Sequence, residues 1–191
     1  MRNLVYFMHS SLDGFVAGSN GEMDWITVDD EIFDFVTTLT DQADTALYGR
    51  VTYQMMEAYW PTAGEMPNAS RHEIEHSVWY KNVSKVVLSK TMNEAGLKNT
   101  KVIHDNLSEN INKLKQSRNG GSKNILIFGS PRASHSLLNL GLVDEFWIFI
   151  SPILIGEGIS LFKDVPELIK LRLLDTKTFA SGVVALHYRK E

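Results

Sequence analysis

The chain has 191 residues, 43% of them hydrophobic and 22% charged, with a net charge of −4 and no cysteine. That balance is ordinary for a globular protein and excludes disordered, collagen-like and low-complexity architectures. It also excludes disulfide frameworks, thiolate zinc sites and cysteine nucleophiles, and it leaves no basic footprint for nucleic acid.

A chain of this length is expected to form one domain over 1–191 with a self-sufficient core. Leu4–His9 reads as the first strand. Its apolar run stops at His9, Ser10 and Ser11, too early for a signal peptide or a membrane span, so a soluble cytoplasmic protein is expected. A glycine-containing stretch, Ser11-Leu12-Asp13-Gly14-Phe15-Val16-Ala17-Gly18, leads on to Asp24-Trp25. It reads either as an ordinary turn or as a loop covering a ligand. Ile32, Phe35, Val36, Leu39 and Ala43 recur at three- and four-residue steps and make one apolar helical stripe. Asp29, Asp30 and Glu31 precede it, where a helix dipole favours negative charge.

Thr45–Tyr48 reads as a strand ending at Gly49, with a helix opening near Thr52 and a short helical stretch over Tyr53–Tyr59. Thr62–Ser70, with Gly64 and Pro67, reads as the longest loop. Arg71–Trp79 is a further short helix, on which His72 and His76 read as part of a solvated face beside Glu73 and Glu75. Lys85–Leu88 and Lys101–His104 are strands. Ser108 opens a helix that Asn119-Gly120-Gly121 would end. Asn124–Phe128 is a strand, and a helix from about Ala133 to Leu140 stops at Gly141.

The tail is richer in strands: Glu145–Ser151, Leu171–Asp175 and Val183–Arg189. Val86–Leu88 and Ile125–Phe128 are continuous apolar runs, which suit strands covered on both faces. Val183–Arg189 alternates and follows the turn pair Ser181-Gly182, as in an antiparallel or edge strand. Strand and helix alternate before this tail. The expected fold is therefore an α/β three-layer sandwich, a mostly parallel mixed sheet with an antiparallel edge.

Three strand ends carry groups suited to an extended anionic ligand. Gly49, Arg50 and Thr52 sit at a strand-to-helix turn, where free backbone N–H groups and the helix dipole favour phosphate. Gly129, Ser130, Arg132 and Ala133 occupy a second such turn, without the spacing of a dinucleotide fingerprint or the lysine of a P-loop. Ser130 and Pro131 also suit the plain start of a helix. Ser89-Lys90 follows a third strand, and open α/β sheets bind ligands at the carboxyl ends of their strands.

These signals fall in an order that resembles the dihydrofolate reductase-like superfamily, and within it the branch of the riboflavin-biosynthesis reductase, the RibD C-terminal domain. The resemblance is carried by Ser11 to Ala17, Met23-Asp24-Trp25, Leu47 to Tyr53, Val86 to Ser89, Ile127 to Ser130, Ser151 to Gly158 and Leu161-Phe162. It implies a central mixed sheet of about eight strands flanked by helices and binding NADPH. By position, Gly49, Arg50 and Thr52 would hold the adenosine phosphates, with Ser89 and Lys90 at the adenosine end. Gly129, Ser130, Arg132 and Ala133 would hold the pyrophosphate, and Ala17 would face the nicotinamide. A cation such as Arg50 or Lys90 beside the ribose 2′-phosphate would favour NADPH over NADH.

The chain departs from the family in places. Asp29 and Asp30 lie where folate reductases carry a proton-assisting carboxylate, yet both also suit helix N-terminal acids. The cysteine-bearing deaminase of the riboflavin proteins has no counterpart here, so a stand-alone reductase is expected. The expected activity is hydride transfer from NADPH to a small heterocycle, as in 5-amino-6-(5-phosphoribosylamino)uracil reductase. Asp13, Trp25 and Asp30 are the catalytic candidates and Glu157 the substrate-binding one. A dihydrofolate reductase and a non-catalytic NADPH-binding protein are the alternatives. No metal is expected. A homodimer is expected, with the apolar run Phe146–Phe149 either an interface or plain core.

Overall fold

The structure, a computed structural model, describes residues 1–117 and 123–191. The chain runs through β1 (Leu4–Ser11), β2 (Phe15–Ala17), α1 (Asp30–Asp41), β3 (Ala43–Gly49), α2 (Arg50–Ala63), α3 (Arg71–Asn82) and β4 (Ser84–Leu88). It continues through β5 (Thr100–Ile103), α4 (Leu107–Gln116), β6 (Asn124–Phe128), α5 (Pro131–Asn139), β7 (Glu145–Ser151), β8 (Ile159–Ser160), β9 (Leu171–Thr178) and β10 (Val184–Lys190).

Eight strands form one sheet in the order β5-β4-β3-β6-β1-β7-β10-β9. The pairs from β5 across to β7 are all parallel, and β10 is antiparallel to both β7 and β9. The mostly parallel mixed sheet is therefore the expected one. Its two faces are covered separately. Alternation along β1 sends Val5 and Phe7 into a core shared with α1, α2 and α3, and Leu4, Tyr6 and Met8 into a core shared with α4 and α5. Two buried faces explain why β6 reads as an unbroken apolar run, since each residue meets one helical layer or the other. β7 lies between β1 and β10, so its apolar run is core.

Several expectations change. β2 and β8 form a separate two-stranded ribbon that no periodicity announced, being three and two residues long. α2 begins at Arg50 with Gly49 as its N-cap, so Thr52 lies inside the first turn, and the helix runs on through Pro61 to Ala63. α4 begins at Leu107. The stop expected at Asn119-Gly120-Gly121 lies outside the described residues.

The His72–His76 face is not solvated. His72 is buried, stacked on Phe33 at 5.1 Å, and His76 is half-buried against Trp60 at 4.1 Å and Trp79 at 5.1 Å. The reason is that α3 packs against α1 and α2 as well as facing the sheet, which covers more than one of its sides. Among the described residues, no helix is long and apolar enough to cross a membrane.

Candidate functional site

Parallel strands all end at one rim, so the turns after β3, β4 and β6 emerge together. β3 pairs with both β4 and β6, with Gly49 beside Leu88 and Leu47 beside Ile127. Gly49-Arg50, Ser89-Lys90 and Gly129-Ser130 are thus neighbours on the same edge.

The β3 and β6 turns are in contact. The Gly49 N–H donates to Ser130 Oγ at 2.9 Å, and the Ser130 hydroxyl donates to the Phe128 carbonyl at 2.9 Å. A Cβ on Gly49 would stand 3.4 Å from Ala133 Cβ, and one on Gly129 3.7 Å from Thr52 Cγ2. A Cβ at either position would make only ordinary van der Waals contact, so space does not demand glycine at these turns, but Gly129 takes a positive φ of 53°, which favours glycine there.

Because the two turns touch, α2 and α5 start side by side. Neither N-cap, Gly49 nor Ser130, gives its helix a side-chain cap, because Gly49 has no side chain and the Ser130 hydroxyl is spent elsewhere. Contrast α1, where the Asp29 carboxylate accepts from the Ile32 N–H at 2.9 Å, and α3, which Ser70 and Glu73 close as a capping box. α4 also lacks a side-chain cap, but it starts after β5 at the sheet's outer edge. Arg50 and Arg132, both exposed, stand in the first turns of α2 and α5. Two uncapped N-termini with two guanidinium groups make this part of the rim electropositive. Ser89 closes its own turn by accepting from the Thr91 and Met92 N–H groups at 3.3 and 3.1 Å, which leaves Lys90 exposed beside it.

The loop after β1 is latched by Asp13. Its carboxylate accepts from Ser11 Oγ at 2.6 Å and from the N–H groups of Gly156 at 2.8 Å and Ile155 at 3.2 Å. The Ser11 hydroxyl, followed by these backbone donors, holds Asp13 below the usual carboxylate range. Asp13 is thus kept as an anion that ties the 11–18 loop to the loop carrying Glu157.

Beyond the latch, Ala17 is buried on β2, and a Cβ on Gly158 would collide with its carbonyl oxygen, so only glycine lets the two loops lie this close. Glu157 is exposed at that turn. Trp25 is half-buried, with its indole N–H donating to the Glu22 carbonyl at 3.3 Å. Asp29 is the α1 cap, whereas Asp30 extends an exposed carboxylate to 3.3 Å from His72 Nδ1. No hydrogen bond or ring contact joins Asp13, Trp25 and Asp30 to one another among the described residues.

Sequence reasoning passed over His9 and Ser151 at the carboxyl ends of β1 and β7. The His9 ring lies 5.4 Å from Phe7 and 5.0 Å from Phe149, and burial pulls its pKa down to about 4. The one signal in the sequence is a histidine that interrupts an apolar strand. A hollow of about 280 Å³ lies at the opposite end of the strands, bordered by Gln42, Asn124, Glu145, Trp147 and His187. None of the candidate catalytic, cofactor-binding or substrate-binding residues lines it.

The family model described as the RibD C-terminal domain matches residues 2–185. The chain belongs to the RibD C-terminal domain family. An uncharacterized Bacillus subtilis protein, YyaP, is 38% identical over 190 residues, which cover 98% of this chain and 94% of YyaP.

Among solved structures, a Shewanella sp. PV-4 protein provisionally assigned to riboflavin biosynthesis superimposes with a TM-score of 0.76 at 21% identity, covering 100% of this chain and 99% of that one. The Thermotoga maritima diaminohydroxyphosphoribosylaminopyrimidine deaminase/5-amino-6-(5-phosphoribosylamino)uracil reductase gives 0.64 at 19%, covering 100% of this chain and 57% of that one. A dihydrofolate reductase from Enterococcus faecalis, complexed with NADP(H), gives 0.65 at 14%, covering 99% and 96%. The fold of this RibD C-terminal domain is thus dihydrofolate reductase-like.

Proposed function

We propose that the protein is an NADPH-dependent reductase of a small heterocycle, similar to 5-amino-6-(5-phosphoribosylamino)uracil reductase. The observation that carries the reading is the pair of uncapped helix N-termini, α2 and α5, set side by side with Arg50 and Arg132 in their first turns. Helix ends whose N–H groups no side chain has claimed are ready anion sites, and two together suit the phosphates of a dinucleotide. Glycine at the head of each turn, Gly49 and Gly129, fits the same ligand, since a phosphate can approach bare backbone there.

In this reading Gly49, Arg50 and Thr52 hold the adenosine phosphates, with Ser89 and Lys90 beside the adenosine. Gly129, Arg132 and Ala133 line the pyrophosphate. Ser130 contributes through its backbone, its hydroxyl being engaged with Gly49 and Phe128. Ala17 backs the nicotinamide from the loop that Asp13 latches. Bound NADPH supplies the hydride. The protein orients the two reactants and excludes water, which is where most of its rate advantage would lie. Asp13, held ionised, fixes the loop, and the proton is left to water or to Asp30 on the substrate side with Trp25. Glu157 stands at the mouth.

The test is a titration with NADPH and NADH, followed by a screen for cofactor oxidation against uracils, dihydrofolate and other heterocycles. Arg50→Glu should weaken NADPH more than NADH, by about tenfold or more if the guanidinium pairs with the 2′-phosphate. Equal weakening of both cofactors would refute that assignment. Binding without oxidation of NADPH by any substrate would point to a non-catalytic role.

We also propose a homodimer, formed along β9. That strand ends the sheet, so one row of its backbone groups is unpaired, and Leu171, Leu173 and Leu174 are exposed on it. Sedimentation showing only monomer at micromolar concentration would overturn this.

A further inference from the structure

α5 meets the β3 turn on one flank and the β2–β8 ribbon on the other. On the first flank Ala133 Cβ lies in ordinary contact range of the Gly49 backbone. His135 comes two residues later, about 200° around the helix, and so leaves from the opposite flank. There its Nε2 stands 3.2 Å from the Ser160 carbonyl oxygen and 3.1 Å from that of Leu161. Both oxygens can only accept, so Nε2 carries the ring proton and donates to the two together.

The ribbon needs such a hold. β2 has three residues and β8 two, paired at Phe15–Ser160 and Ala17–Ile159, and two short strands are not stable by themselves. Val16 and Leu161 are buried in one core with Leu137 and Leu138 of α5. That packing keeps the ribbon against the helix, but it is non-directional and does not fix where along the helix the ribbon sits. A hydrogen bond is directional and does. From β8 the placement passes on: the Leu161 N–H donates to the Gly14 carbonyl at 2.9 Å, and the ladder carries it to Ala17. The Asp13 latch joins the two loops to each other, so it leaves their place against α5 to His135.

We propose that His135 is a positioning residue that clamps the β2–β8 ribbon to α5 and so couples the pyrophosphate end of the cofactor site to its nicotinamide end. This rests on the reductase reading above and adds a residue to that same site. The first turn of α5 brings Arg132 and Ala133 to the phosphates, and three residues on from Arg132 the same helix grips the ribbon that carries Ala17. One rigid helix thereby sets the spacing between the phosphate grip and the wall behind the nicotinamide. Without the clamp the phosphates still bind, but the wall drifts and the ring is no longer held in one orientation. Orientation is what the protein contributes to a hydride transfer, so His135 acts through Ala17 and touches no reacting atom.

The experiment compares wild type with His135→Ala, His135→Asn and His135→Gln. A glutamine amide nitrogen reaches the Nε2 position, whereas an asparagine one reaches only that of Nδ1, so His135→Gln keeps the clamp and His135→Asn does not. In the ligand-free proteins, amide hydrogen exchange over Phe15–Ala17 and Ile159–Leu161 should quicken about tenfold in the alanine and asparagine variants. β1 and β6 should exchange as before, and His135→Gln should match wild type throughout. NADPH affinity should fall about fivefold to tenfold in the alanine and asparagine variants. Affinity for 2′-phospho-ADP-ribose, which has the same phosphates and no nicotinamide, should stay within about twofold. The fluorescence of bound NADPH, which reports on the surroundings of the nicotinamide, should drop in the same two variants.

Unchanged exchange across the ribbon in His135→Ala would overturn the clamp. Equal weakening of NADPH and 2′-phospho-ADP-ribose would overturn the coupling, since His135 would then act on α5 as a whole. If His135→Ala does not fold, the contrast between His135→Asn and His135→Gln decides the same two points. Failure of wild type to bind either ligand would instead overturn the reductase reading, and the exchange comparison would then decide the clamp separately.

Discussion

Replacing Ser130 tests whether the two turns of the candidate cofactor site are held by one hydroxyl. Ser130 is 3% exposed, and its Oγ accepts from the Gly49 N–H and donates to the Phe128 carbonyl, both at 2.9 Å. Ser130→Ala removes both bonds and leaves a donor and an acceptor without partners in a site too closed for easy rehydration. At about 1–1.5 kcal/mol for each, the expected loss is about 2–3 kcal/mol. Ser130 also sits at φ 57°, in the left-handed region. Ser130→Gly loses the same two bonds but relieves that backbone by roughly 1 kcal/mol, so it should be the milder variant. Urea unfolding of the three ligand-free proteins measures this, with midpoints falling in the order wild type, Ser130→Gly, Ser130→Ala at unchanged slope. In a chain of this size Ser130→Ala should melt roughly 4–12 °C lower. NADPH affinity should fall in both variants as Gly49 is released. Ser130→Ala within about 0.5 kcal/mol of wild type would refute the reasoning, because surface changes produce no more than that.

Gly158→Ala should destabilise the protein by about 1–3 kcal/mol, because its Cβ meets the Ala17 carbonyl and must push the β2–β8 ribbon apart. Urea unfolding reads the loss, and a weaker grip on NADPH should accompany it if Ala17 backs the nicotinamide. His76 is held neutral between Trp60 and Trp79, its pKa pulled down by burial to about 4. The native state then binds fewer protons than the unfolded one, so this stability is present above about pH 6.5 and is lost as pH falls towards 4. The change between about pH 7 and pH 5 is of order 2 kcal/mol, and His76→Phe should abolish that share of it. His9, shifted the same way, keeps its own share in the variant. An unaltered pH profile in His76→Phe would show that His76 protonates freely in the folded protein.

The sequence by itself determined the eight strands of the main sheet and their direction of use, though not the short β2–β8 ribbon. Ile125–Phe128 and Val86–Leu88 are apolar without interruption and stop at Gly129 and Ser89, so both their burial and their functional ends could be read locally. The stripe from Ile32 to Leu39, preceded by three acids, likewise determined α1 and its start, while the structure decided that Asp29 is the cap. What only the tertiary structure decided is which group meets which. The Ser130 hydroxyl finds a partner 81 residues away, and Asp13 finds its donors 142 and 143 residues away. His72 and His76 look solvated beside their acidic neighbours until α1 and α2 are laid against them. Nothing local marks His9 Nδ1 as lacking a hydrogen-bond partner, since that depends on all that packs around it. Periodicity records which side of an element is apolar, whereas the pairing of polar groups depends on strand order and on how the layers close. Those long-range choices are made by the whole core at once.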